Sequence, residues 1–300
     1  MKAIVYAEHG GPEVLRLEDV AEPHPGPGQV RLKVMAAGVN PVDHKIRSGL
    51  MPDMAPASLP AIPGLEAAGV IDEVGAGVTG VAVGDEVMAW TVTGSYTEYA
   101  LADDFAPKPA GLGWEIAAAL PVALETADRV LDALGVAVGE TLLVHGAAGA
   151  VGAFGVQLAV ARGVTVVGTA SPRNHGYLRS LGAIPVTYGD GLADRVRALA
   201  PQGVDAVFDV AGQAALDVSI ELRGGTDRVV TITDLRAFDL GVVFSGSNRR
   251  FGAQLADYAQ LVADGALGVR VAASFALADT GRAHELSETG HAGGKVVLIP

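Results

Sequence analysis

The chain has 300 residues, half of them hydrophobic, with 34 acidic against 21 basic residues and a net charge of −13. This length implies about two domains at ~150 residues each, with enough apolar residues for a sizeable core, which excludes global disorder. The negative charge excludes nucleic acid and anionic membranes as partners, and the absence of cysteine excludes disulfides, thiolate nucleophiles and cysteine-ligated zinc. Forty glycines and few aromatics point to an aliphatic core with tight turns, which suits α/β architecture.

The first residues, MKAIVYAEHG, read as a strand and not as a signal peptide, and no apolar stretch of about 20 residues suggests a membrane span. A soluble, cytoplasmic protein is expected. Short strand-like runs follow, among them QVRLKVMAAGV, AAGVIDEVG, GDEVMAW and SYTEYALA, while EPHPGPGQ, with Pro23, Pro25 and Pro27, excludes regular structure. From about residue 121 the texture changes. Apolar runs at TLLVHG, VTVVGTA, IPVTYG, VDAVFDVAG and DRVVTIT alternate with helix-length segments, including 213–222 and 251–264, which predicts a parallel sheet with right-handed crossovers. The last stretch returns to strands around a short helix. The expected domains are therefore 1–120 with 265–300, β-rich, and 121–264, doubly wound α/β.

The stretch LLVHGAAGAVGAFGVQLAVA, Leu142 to Ala161, runs from strand through a glycine turn into a helix. In that setting the helix N-terminus offers free N–H groups and a positive dipole end to a diphosphate. The candidate cradle is Ala147, Gly149, Ala150, Val151 and Gly152. Gly149 lets the backbone approach the diphosphate, and Gly152 lets the helix lie close to the sheet. The G-x-G-x-x-G spelling is incomplete, because Ala147 stands at its first glycine, and a tightly packed small-residue helix is the competing reading. The end of the next strand weighs against that competitor. An NAD-preferring site places Asp or Glu about 20 residues past the turn, and here the chain reads TASPRN. Ser171 offers a hydrogen bond and Arg173 a charge-assisted one to a 2′-phosphate, so NADPH is favoured over NADH. A solvated arginine is the competing reading of Arg173.

AAGVNPVDHKIRSG, IPGLEAAGVIDEVGAGVTGVAVGDEVMAW, LPVALETADRVL and HGAAGAVG together resemble the medium-chain dehydrogenase/reductase superfamily, most closely its zinc-independent quinone oxidoreductase branch. The resemblance runs nearly end to end. It implies a GroES-like β-rich domain plus a Rossmann doubly wound domain, with NADP bound in the cleft between them. It also implies a homodimer formed through the edge of the Rossmann sheet. Zinc enzymes of this superfamily carry cysteine where Asn40 stands and histidine where Leu65 stands, and neither replacement can ligate zinc. The expected acceptors are then quinones and enones, which delocalise the arriving charge themselves.

By the resemblance, Asn40 and Thr126 lie near the nicotinamide and Tyr188 near the adenosine 2′-phosphate. The stretch FDVAG, with Asp209, Val210, Ala211 and Gly212, meets the nicotinamide ribose, and Gly294 and Lys295 close over the cofactor. Tyr96 is a candidate pocket wall or proton donor, with packing in the β domain as its alternative. Asn40 has an alternative as a turn residue. Asp43 and Lys45 are expected to form a local ion pair, and Glu66 and Asp85 to be structural. His145 is expected beside the glycine turn, and His44, His175 and His291 at the surface. Two departures from the family pattern stand out: Glu125 precedes Thr126, and Gly293 takes a common arginine position. The expected activity is NADPH-dependent hydride transfer to a quinone or activated alkene. An enoyl-thioester reductase and an NADPH-binding redox sensor with little turnover are the alternatives.

Overall fold

A computed structural model describes residues 1–51, 58–212, 214–246 and 250–300. The chain divides into two compact units, Met1–Val122 with Arg250–Pro300, and Ala123–Arg249.

The first unit opens with an antiparallel pair, β1 (Lys2–Val5) and β2 (Arg16–Asp19). Its main elements are β3 (Val30–Val39), α1 (Pro41–Arg47), β4 (Glu66–Val74), β5 (Glu86–Thr91), β6 (Tyr99–Pro107) and α2 (Trp114–Ala118). Then α3 (Pro121–Leu134) carries the chain into the second unit. Strands β3 to β6 pair antiparallel in order, and β3 also pairs with β6, which closes a small barrel. Closure needs one very near approach: a Cβ at Gly69 on β4 would sit 2.2 Å from the Lys33 carbonyl oxygen on β3. The barrel interior is aliphatic, with Val30, Leu32, Ile71, Val87, Ala89 and Ala102 all buried.

The second unit contains β7 (Thr141–His145), α4 (Ala150–Ala161), β8 (Thr165–Thr169), α5 (His175–Ser180), β9 (Ile184–Val186) and α6 (Leu192–Leu199). It continues through β10 (Ala206–Asp209), α7 (Ala215–Arg223), β11 (Val229–Thr231), α8 (Ala237–Leu240) and β12 (Val243–Phe244). All pairings are parallel, in the order β12-β11-β10-β7-β8-β9. Read from the opposite edge this is the 3-2-1-4-5-6 order of a dinucleotide-binding sheet. The expected helix over 213–222 is α7; Gln213 itself lies outside the described residues.

The remaining elements return to the first unit: α9 (Gly252–Ala263), β13 (Val271–Ala276), α10 (Thr280–Glu288) and β14 (Lys295–Ile299). β14 pairs antiparallel with β3, and β13 extends the sheet alongside it. The second unit ends at 249 and not at 264, because α9 packs on the β-rich unit. The Asp104 carboxylate on β6 accepts the N–H groups of Phe251 and Gly252 at 2.9 and 3.1 Å, and the Phe251 ring meets Trp90 edge-on. Helical periodicity does not reveal which sheet a helix covers.

Candidate active site

In the second unit the chain leaves β7 through Gly146, whose φ of 70° falls in the left-handed region. The Gly146 N–H donates to the Thr169 hydroxyl and the Ala147 N–H to the Thr169 carbonyl, both at 3.1 Å, so the end of β8 holds the turn. A Cβ at Gly152 would lie 2.4 Å from the Gly146 carbonyl oxygen and 2.8 Å from the Ala147 Cα, so only glycine lets α4 start this close to the sheet. No side chain caps α4 at Gly149. The N–H groups of Ala150, Val151 and Gly152 begin the helix without i−4 partners, and the helix dipole adds positive potential there. These residues fit a dinucleotide diphosphate. Ala147 departs from expectation: it is fully buried with its N–H bonded to β8, so it forms the wall behind the cradle and cannot contact a cofactor through that N–H.

Strands β8 and β9 pair with Thr169 beside Val186, so their C-terminal ends lie together. Ser171 follows β8 and caps the short 3-10 turn Pro172–Asn174, which carries exposed Arg173. Tyr188 follows β9 and is 42% exposed. Arg195, which sequence reading overlooked, donates to the carbonyls of Thr187, Tyr188 and Gly189 and shapes the loop carrying Tyr188. On the other side of β7, the buried Asp209 carboxylate at the end of β10 accepts the N–H groups of Ala211 and Gly212 and the Thr231 hydroxyl. Burial raises its pKa, and the three donors act against that rise. Asp209 thereby fixes the loop containing Val210 and Ala211. His145 is buried against the Ser219 hydroxyl, and burial lowers its pKa to about 4, so it is neutral. Thr126 is buried in α3 next to Glu125, which pairs with Arg129 at 2.9 Å.

In the first unit, Asn40 follows β3 and is the N-cap of α1. Its side-chain amide donates to Glu66 Oε1 at 2.7 Å, and its Oδ1 accepts from Lys295 Nζ at 2.6 Å. Lys295 also pairs with Glu66 Oε1, and Glu66 Oε2 accepts the Val122 N–H at 2.7 Å. Asn40, Glu66 and Lys295 are at most 5% exposed. A Cβ at Gly38 would fall 2.4 Å from Glu66 Oε1, so the cluster is built around a glycine. Lys295, expected over the cofactor, is therefore a buried partner of Asn40 and Glu66, because its ammonium needs a carboxylate when withdrawn from water. Zinc does not fit here. Asn40 and Leu65 replace two of its ligands, and a cation already bonds to Asn40 Oδ1. Among the described residues no group of three or more histidine, aspartate or glutamate side chains is arranged to hold a metal ion.

Asp43 does not pair with Lys45. Its Oδ2 accepts the Asn40 N–H at 2.7 Å and the Tyr96 hydroxyl at 2.8 Å, while its Oδ1 is buried without a partner. Burial is the main reason that its pKa rises to about 7. Tyr96 is fully buried, with its ring edge-on to His284. It anchors Asp43 through its hydroxyl. Asp43 also lines a pocket of about 220 Å³ whose walls include Tyr6, Ile46, Ile62, Leu65 and Thr91.

Residues 26–110 match the alcohol dehydrogenase GroES-like domain family, and residues 181–298 match the family described as zinc-binding dehydrogenase. A quinone oxidoreductase of Mus musculus is 37% identical over 252 residues, covering 77% of this chain and 73% of its own length. An NADPH-dependent alkenal/one oxidoreductase of Arabidopsis thaliana, chloroplastic, is 37% identical over 78% of this chain and 62% of its own length. The solved quinone oxidoreductase of Coxiella burnetii superposes with a TM-score of 0.88 at 32% identity, covering 100% of this chain and 99% of its own. With a dinucleotide-binding sheet, a GroES-like barrel and this degree of likeness, the chain belongs to the medium-chain dehydrogenase/reductase superfamily, in its quinone oxidoreductase branch.

Proposed function

We propose that the protein is an NADPH-dependent reductase of quinones and of alkenes activated by a carbonyl group. The observation carrying this reading is the cradle at the start of α4, where Gly152 permits close approach and uncapped N–H groups point outward from the helix end. Bound NADPH supplies a hydride from its nicotinamide C4. Ala150, Val151 and Gly152 hold the diphosphate through their N–H groups, Ser171, Arg173 and Tyr188 receive the 2′-phosphate, and Asn40 orients the acceptor. Quinones and enones suit a site that lacks a Lewis acid, because conjugation spreads the incoming charge. The names of the relatives from mouse and Arabidopsis support the same substrate class and cofactor.

The function is tested by mixing the protein with NADPH and a panel of quinones, enals and enoyl thioesters while following nicotinamide absorbance. Oxidation with the first two groups is expected. Oxidation with enoyl thioesters alone would shift the assignment to a thioester reductase, and binding without oxidation would leave a redox sensor. The cofactor assignment has its own test. Arg173→Ala is expected to raise the Kd for NADPH about tenfold, the loss of one charge-assisted contact, and that for NADH less than twofold. Equal losses would refute the 2′-phosphate role.

We further propose a cytoplasmic homodimer. Among the described residues no helix is long and apolar enough to cross a membrane. The edge of the parallel sheet carries exposed apolar residues, with Val243 on β12 and Phe238 on the neighbouring α8 51% and 70% exposed.

A further inference from the structure

We infer that Glu66 and Lys295 are positioning residues that lock Asn40 in one amide orientation, making it a hydrogen-bond donor towards the acceptor oxygen. This inference rests on the proposed role of Asn40 in orienting the acceptor.

The argument follows from what each partner can give. Lysine has three donors and no acceptor, while an ionised glutamate only accepts. Lys295 Nζ lies 2.6 Å from Asn40 Oδ1, and Glu66 Oε1 lies 2.7 Å from Asn40 Nδ2. Flipping the amide by 180° would set a carbonyl oxygen against the carboxylate and an NH2 group against the ammonium, replacing two charge-assisted bonds with two repulsions. The salt bridge between Lys295 and Glu66 joins the two clamps, and the Val122 N–H occupies the second Glu66 oxygen, so the carboxylate is held as well. Both amide atoms are thus committed. The second hydrogen on Nδ2 meets no acceptor among the described residues, and it is what Asn40 has left to offer. That group recognises an oxygen with lone pairs, such as a quinone or enone carbonyl, whose charge grows when hydride adds to the conjugated system. The residues come from the position after β3, the start of β4 and the start of β14. The clamp is therefore built within the first unit and owes nothing to the dinucleotide.

The sequence makes a direct test possible, because Asn40, Asn174 and Asn248 are its only asparagines. Protein labelled with 15N-asparagine gives at most three side-chain amide pairs, and Asn40→Ala assigns one of them. In the wild type the Asn40 pair is expected to exchange with solvent at least tenfold more slowly than the Asn174 pair. Lys295→Met is expected to abolish that protection, and Lys295→Arg to retain most of it. Lys295→Met with Glu66→Gln removes both buried charges together, so it stays folded while the orientation is still lost. In that double variant kcat for quinone is expected to fall at least tenfold, with the NADPH Kd changed less than twofold. A folded double variant that keeps both Asn40 protection and wild-type kcat would overturn the inference, as would loss of NADPH affinity in Lys295→Met. Wild-type protein that shows the protected amide yet reduces no acceptor would refute the proposed function and leave the clamp standing.

Discussion

Asp43 combines a buried, unpartnered oxygen with an environment in which the neutral acid is favoured. Its pKa rises from 3.8 to about 7 mainly through burial. Between these values the folded chain holds a proton that the unfolded chain has released, so this group's contribution to stability falls as pH rises through the window and levels off above about 7. Asp43→Asn removes the titration. The stability of the wild type relative to this variant is expected to drop between pH 5 and pH 7 by up to about 1.4 kcal/mol per unit, measured by urea unfolding. A difference that grew with pH would show that Asp43 is ionised in the fold. The buried histidines act oppositely. Burial lowers His145 to about 4 and His284 to about 3, so both lose stabilising effect as pH falls below their unfolded value, equally in the two proteins.

At the level of elements, edge strand β12 and helix α8 form an exposed apolar border. The rings of Phe238 and Phe244 lie 5.5 Å apart, and Phe238 remains mostly open. A short edge with unpaired backbone groups and apolar side chains is a natural pairing surface. If two copies meet there, Phe238→Asp places a charge in the contact, and sedimentation velocity is expected to show the dimer shifting to single chains without loss of NADPH binding. Wild-type protein that sediments as single chains at tens of micromolar would refute the dimer. The glycine turn is an element-scale device too. Neither Gly146 nor Gly152 has a side chain, yet the φ of one and the near contact of the other determine where the N–H groups of α4 lie.

For the molecule as a whole, any ligand that binds only the folded state adds RT ln(1 + [L]/Kd) to its stability. NADPH at one hundred times its Kd is expected to add about 2.7 kcal/mol, visible as a rise in Tm, whereas zinc at the same concentration is expected to add nothing. Stabilisation by zinc would contradict the reading of the Asn40 site, where an ammonium holds the carbonyl oxygen. With a net charge of −13, the proposed cofactor site needs local donors such as those at α4 and Arg173 to hold an anion.

Much of this was legible along the chain. The alternation of apolar runs with helical segments determined a doubly wound sheet, and Leu142 to Ala161 determined its strand, glycine turn and uncapped helix, because both depend on local geometry. The missing acid after β8, with Ser171 and Arg173 in its place, was readable for the same reason. The tertiary structure alone decided the rest. Lys295 lies 255 residues from Asn40 and 229 from Glu66, and no spacing rule connects a lysine near the end of the chain to a buried glutamate. Proximity along the chain points Asp43 to Lys45, yet it meets Tyr96, 53 residues away, and the periodicity of α9 suits the parallel sheet although Asp104 secures it to the barrel. Periodicity records which face of an element avoids water. Which buried charge meets which partner is settled only when the sheet assembles and brings each of them to neighbours of opposite sign or complementary hydrogen-bonding capacity.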